Sequence, residues 1–284
     1  MTERHSEADE PQLISDPVEA AQVESENALK QFDEAMLELS AWLRSNETRL
    51  RLSLLLKLHR TLMQRLSEYA GVFRPESVKI KGSRHKPPPA DQVPALVEDM
   101  CDYVNQNWKT KSAVHLAAYI LWKINWIHPF TDGNGRTARI MSYFVLCARA
   151  GARLPGEFTI PEQIAANKRP YYAALEAADK KQLKSQINVE EMEALISAHL
   201  ANQLLEFYRT ASGEPGGLGA AEKQEIALAL RSAQLEGEPA NRGAFVPARQ
   251  KHKLELFAWI EAHPALTGLI GVLAAAVIAL IFAK

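Results

Sequence analysis

Twelve consecutive residues of this chain gather most of what a phosphate-handling site needs: His128-Pro129-Phe130-Thr131-Asp132-Gly133-Asn134-Gly135-Arg136-Thr137-Ala138-Arg139. Gly133 and Gly135 leave the backbone unobstructed and permit positive φ. The loop opens directly into a helical stretch, whose first N–H groups lack internal partners and favour an anion. Arg136 and Arg139 stand three apart, so they share one helix face and can both address a polyphosphate. Asp132 offers a hard carboxylate oxygen suited to Mg²⁺ on phosphate oxygens. His128 offers an imidazole that accepts a proton near neutral pH. His263-Pro264 is an internal contrast: no glycine loop, acid or arginine pair follows it.

The elements that position this run read as helices. Ala28 to Leu43 carries apolar residues at helical spacing (Leu29, Phe32, Met36, Leu39, Leu43), and Leu50 to Tyr69 forms a second such stretch that Gly71 stops. Val78-Lys79-Ile80-Lys81 alternates apolar and basic residues ahead of Gly82 and Pro87-Pro88-Pro89, which predicts a short strand or hairpin. Val93 to Asn105 returns to helical spacing. Ala113 to Ile127 is strongly apolar, with Ser112 as its N-cap. A further helix runs from about Arg136 to Ala150 and ends at Gly151. Pro170 suits the first turn of the next helix, and helix continues with breaks to about Tyr208. His59 and His115 sit on apolar helical stretches, in packing or local hydrogen-bonding roles. Trp122 and Trp126 brace the helix that leads into the run. Lys79, Lys81, Arg84, His85 and Lys86 make a basic strip, solvated by default.

The central run resembles the Fic motif, H-x-F-x-[D/E]-G-N-G-R-x-x-R, at every specified position. Leu58-His59-Arg60-Thr61-Leu62-Met63 is similar to a Leu-His helix found in many members of that family. Gly71-Val72-Phe73-Arg74 with Val78-Lys79-Ile80 is similar to the segment leading into their active-site flap. Asn167 with Pro170-Tyr171-Tyr172 and Ala174-Leu175 is similar to an element that follows the motif. The resemblance covers residues 20–205 or so. It implies a mainly α fold, a helical bundle with a β-hairpin flap. It also implies transfer of AMP from ATP to a Ser, Thr or Tyr hydroxyl of a target protein. In that reading His128 takes the proton of the hydroxyl, and Asp132 holds Mg²⁺. Gly133, Asn134, Gly135 and Arg136 cradle phosphates, while Arg139 meets the γ-phosphate. Tyr171 and Tyr172 lie near the nucleoside. Val78, Lys79, Ile80 and Lys81 hold the target by strand-like pairing. Removal of AMP from a modified protein, and a nucleotide-regulated interaction module, are the rival readings; the complete His, Asp and Arg set speaks against the module.

Many members carry an inhibitory helix, [S/T]-x-x-x-E-[G/N], whose Glu pairs with the second motif arginine. Glu26-Asn27 is the nearest match, in the position of the subgroup with an N-terminal inhibitory helix. Gln22 stands where that pattern has Ser or Thr. Glu24-Ser25 is the rival placement.

Composition sets the remaining bounds. The chain has 284 residues, with 33 Lys and Arg against 34 Asp and Glu, so no global charge points to nucleic acid. Cys101 and Cys147 lack metal spacing and fit packed core thiols. Residues 1–27 hold eight acids against Arg4, and residues 1–20 read as an acidic mobile start before a domain over 21–208. Residues 209–248 read as a linker with a short helix, since Thr210 to Gly219 is rich in Gly and Pro. Residues 249–284 read as a basic juxtamembrane segment and a tail anchor. Ala265 to Ala283 has no charged residue, and its nineteen positions span roughly 28 Å as a helix. Arg249, Lys251 and Lys253 precede it, which would leave the catalytic domain in the cytoplasm under the positive-inside rule. The expected target is a hydroxyl-bearing protein at or visiting a membrane. A homodimer is compatible with the sequence, which leaves oligomeric state open.

Overall fold

The computed structural model describes residues 5–7, 10–11, 13–45, 49–182 and 187–212. The linker beyond Ser212, the basic juxtamembrane residues and the apolar run 265–283 lie outside them. Among the described residues, no helix is long and apolar enough to cross a membrane.

The architecture is mainly helical. Helix α1 spans Pro17–Arg44, α2 Leu52–Met63, α3 Val93–Asn107, α4 Ala113–Ile127 and α5 Asn134–Ala150; α6 (Ile160–Ala166), α7 (Lys168–Gln182) and α8 (Glu190–Ser212) follow. The α4–α5 pair is the centre of the core. Both helices are buried around most of their circumference; α4 is near-continuously apolar, whereas α5 buries Asn134, Thr137 and Ser142 among its apolar residues. Helices α1 and α2 pack on α5, α3 on α4, and α7 and α8 on α4. Cys101 and Cys147 are free and buried, and burial pushes each thiol up to about 12.

Three boundaries differ from the sequence reading. Helix α1 starts at Pro17 rather than Ala28: Asp16 caps it by accepting from Val18 N–H at 2.9 Å, and Pro17 fits the first turn. Helix α2 ends at Met63, well before Gly71, because Arg65 adopts a left-handed φ of 66°. Its carbonyls are then taken by α1. Asn27 donates to Leu62 and Gln64 carbonyls at 3.1 and 2.7 Å, and Gln31 to Leu58 at 3.1 Å. Helix α8 runs through Ser212, past the expected end near Tyr208.

Helix α1 thus has two unlike halves. Ala35, Met36 and Leu39 bury an apolar stripe, whereas Asn27 and Gln31 hold the preceding half by polar bonds.

The expected hairpin is replaced by a longer-range pairing. Strand β2 (Lys79–Lys81) pairs antiparallel with β1 (His5–Glu7), in the register His5↔Lys81, Ser6↔Ile80 and Glu7↔Lys79. Local chain reversal fails for a physical reason. Gly82 turns the backbone, and the three prolines at 87–89 have no N–H to return to β2. The edge of β2 is instead covered by the acidic N-terminal segment that sequence alone assigned to a mobile start.

Candidate active site

Helix α4 delivers His128 and helix α5 receives the chain after the loop. Ser112 caps α4 by accepting from His115 N–H at 3.0 Å. His128 is its C-cap, in the left-handed region at φ 53°, with its N–H on Ile124 O at 2.8 Å. A β-carbon is rarely found there. Arg74 holds that turn. Fully buried, it donates Nε to the His128 carbonyl at 2.8 Å and Nη1 to Glu76 O at 2.7 Å, while Nη2 reaches Pro88 O. One guanidinium therefore ties the segments on both sides of β2 to the base. Burial lowers the Arg74 pKa below the usual guanidinium range.

The loop itself is braced from within. Asn134 Oδ1 accepts from Phe130 N–H at 2.9 Å, and its Nδ2 donates to Phe130 O at 2.8 Å. Its side chain thus shapes the loop. His59 stacks on Phe130 at 3.6 Å and 3°. It takes the Gly71 N–H on Nδ1 at 3.0 Å and bonds Asp132 O through Nε2 at 3.1 Å. Gly133 turns the chain at φ 73°, where an added Cβ would lie 3.0 Å from Met63 Sδ. No side chain caps α5, so its leading N–H groups are left for a ligand.

These parts surround one cleft of about 670 Å³. It is lined by His128, Asp132, Gly133, Asn134, Gly135, Arg136, Arg139, Tyr171 and Tyr172, among others, so the residues singled out in the central run and after it converge. Ile80 joins from β2, while Lys79 and Lys81 point to solvent and Val78 is buried beside them. Ser6, His85, Asn125, Lys168 and Asp179 also line it, and sequence reasoning assigned none of them there. His85 departs from the solvated basic strip: its Nε2 bonds Trp126 O at 2.7 Å. Asp179 accepts from Trp122 Nε1 at 2.9 Å.

The state of His128 follows from its contacts. Nδ1 lies 3.4 Å from Asn125 O and Nε2 lies 2.8 Å from Ser6 Oγ. A carbonyl only accepts, so Nδ1 carries the proton and Nε2 has its lone pair free for a hydroxyl. Burial, aided by the positive charge of Arg74, lowers the His128 pKa to about 4. The ring is neutral at physiological pH and able to act as a base.

The arginines are held differently. Arg136 pairs with Asp132 Oδ2 at 2.8 Å and with Glu24. Arg139 is lowered in pKa by burial, beside Tyr171 and Tyr172, and among the described residues no carboxylate lies within ion-pair distance of it. Glu26 instead bonds Gln22 at 3.1 Å and approaches Lys30 at 3.7 Å, along the exposed face of α1. The expected Glu26–Arg139 pair is therefore replaced by Glu24–Arg136. Helical phase decides it: Glu24 faces the cleft that Arg136 lines, and Glu26, two positions on, does not.

Residues 49–146 match the Fic/DOC family model. The protein adenylyltransferase Fic of Drosophila willistoni is 29% identical over 165 residues, which cover 57% of this chain and 31% of that protein. The protein of the same name from Drosophila erecta is 30% identical over 165 residues, with 57% and 31% covered. The chain thus spans about a third of the length of these curated relatives. A Fic domain-containing signalling protein from Bacteroides thetaiotaomicron has a similar fold: its crystal structure aligns with a TM-score of 0.53 at 22% identity, over 67% of this chain and 74% of that one. Matched span and an intact twelve-residue run agree: residues 49–146 are similar to the Fic/DOC family domain, and the fold is of the same kind.

Proposed function

We propose that the chain is a protein adenylyltransferase that moves AMP from ATP to a hydroxyl of a protein. One observation carries this reading: the unprotonated Nε2 of His128 holds a serine hydroxyl at 2.8 Å beside the α5 N-terminus. In the reaction, Nε2 accepts the hydroxyl proton as the oxygen attacks the α-phosphorus. Arg136, Arg139 and the leading α5 amides oppose the charge that gathers on the departing pyrophosphate. Tyr171 and Tyr172 bound the side of the cleft where a nucleoside fits, and the β2 edge that β1 covers would hold a target backbone in the same strand-like way once β1 leaves it.

Asp132 is the residue that would hold Mg²⁺. Among the described residues there is no cluster of three His, Cys, Asp or Glu side chains, so a cation here must complete its shell with oxygens of the triphosphate and water. That donor set suits Mg²⁺, which when bound neutralises phosphate charge. The Glu24–Arg136 pair supports autoinhibition, because it engages a guanidinium that the phosphates require. The apolar run 265–283 supports a membrane tether with the catalytic domain on the cytoplasmic side, and hence targets at that surface.

Tagged ATP added to membranes bearing the full chain tests the reading. Protein-linked AMP should appear with the wild type and vanish in His128→Ala. Equal labelling by both would sink it.

A further inference from the structure

The strand that covers β2 comes from the chain itself, and its central residue carries a hydroxyl. Ser6 is registered opposite Ile80, the middle residue of β2, in an antiparallel pair of the kind by which an extended peptide is held on a sheet edge. That register brings Ser6 Oγ to 2.8 Å from His128 Nε2. The Nδ1 proton points at Asn125 O, so the Ser6 hydroxyl donates to the ring lone pair. Ser6 also lines the cleft that Gly135, Arg136 and Arg139 line. Backbone, base and phosphate cradle thus meet at one side chain.

We infer that Ser6 is a modification site, the acceptor of AMP transferred by the chain's own His128; this rests on the adenylyltransferase reading above. The Ser6 O–H bond gives its proton to Nε2, and Oγ forms a bond to the α-phosphorus of ATP. The bond from that phosphorus to the bridging oxygen breaks, and pyrophosphate leaves with the electron pair. The products are a phosphodiester on Ser6, pyrophosphate and a protonated His128, which then returns its proton to solvent. Covalent connection makes the acceptor local, so the step proceeds within one chain and is independent of protein concentration.

The test is ATP with Mg²⁺ added to the full chain, followed by tandem mass spectrometry of the peptide that holds Ser6. Wild type, Ser6→Ala, Ser6→Thr and His128→Ala are compared, each also with Glu24→Gly so that an inhibited site is not mistaken for an absent acceptor. Expected is one AMP on Ser6, retained at Thr, lost from Ser6→Ala and His128→Ala, and formed at a rate unchanged on dilution. His128-dependent AMP found only on other hydroxyls would overturn the assignment of Ser6 and leave the transferase reading standing. A rate on Ser6 that rises with protein concentration would overturn transfer within one chain. No His128-dependent AMP on any protein in either background would remove the transferase reading, and this inference with it.

Discussion

Glu24 and Arg136, 112 residues apart in the chain, form an ion pair that joins the N-terminal half of α1 to the first turn of α5. The Glu24 side chain is 54% exposed, which places the pair in the weak class of about 0–1 kcal/mol. Glu24→Gly should therefore raise labelling from tagged ATP by a factor of roughly 2–5, since about 1.4 kcal/mol is tenfold. Glu26→Gly should leave it unchanged. An increase confined to Glu26→Gly would show that the observed pair is not the restraint.

Arg74 donates to the carbonyls of His128, Glu76 and Pro88 from a fully buried position. Arg74→Ala would leave three acceptors without a partner. Urea denaturation of this variant should show a loss on the order of 3–5 kcal/mol. Arg74→Lys should recover only part of it, because an ammonium cannot reproduce the planar fork. Full recovery by Lys would mean that charge, rather than shape, holds the turn.

Asn134 brackets both backbone groups of Phe130. Asn134→Ala should lower stability by about 2–4 kcal/mol, as two buried backbone groups lose their partner. Calorimetry should also show weaker ATP binding, because the loop before α5 loses its shape. Unchanged ATP affinity with reduced stability would separate the two roles.

Acid should destabilise the described domain through its buried histidines. Burial lowers His59, His128 and His199 to about 4 each. Their unfolded value is about 6.5, so the unfolded chain binds more protons between these limits. The contribution is fully present above about pH 6.5 and declines as pH falls towards 4. Each histidine should remove roughly 2 kcal/mol between pH 6.5 and 5. Urea midpoints measured across this window should fall, and less steeply in His59→Asn. A flat profile would contradict the neutral buried state of these rings.

The sequence discloses the helices around the site more fully than the contacts across it. Helices α4 and α5 are legible because their cap residues, Ser112 and Gly151, bracket apolar runs. The loop between them is legible because glycine, acid and arginine lie within one run. What sequence does not disclose is long-range. β1 forms by backbone hydrogen bonds, which any sequence supplies, so nothing in His5-Ser6-Glu7 announces its partner. Arg74 is legible as part of the segment that leads towards β2, but its clamp on three carbonyls is not. The choice of Glu24 over Glu26 depends on the phase of a helix whose true start, at Pro17, rests on a single cap at Asp16.

The two halves of α1 set the order in which this helix can come apart. Its C-terminal half is fixed by Ala35, Met36 and Leu39 in the core. Its N-terminal half is fixed by amides whose lost partners water can replace, by two half-exposed carboxylates, Glu19 on Arg65 and Glu24 on Arg136, and by a single buried apolar side chain, Val23. Fraying from Pro17 would part Glu24 from Arg136, leaving the arginine on Asp132, before any of these three core residues was wetted. On the autoinhibited reading, parting this pair would require only a partial melting of one helix end, with the rest of the bundle as its fixed hinge.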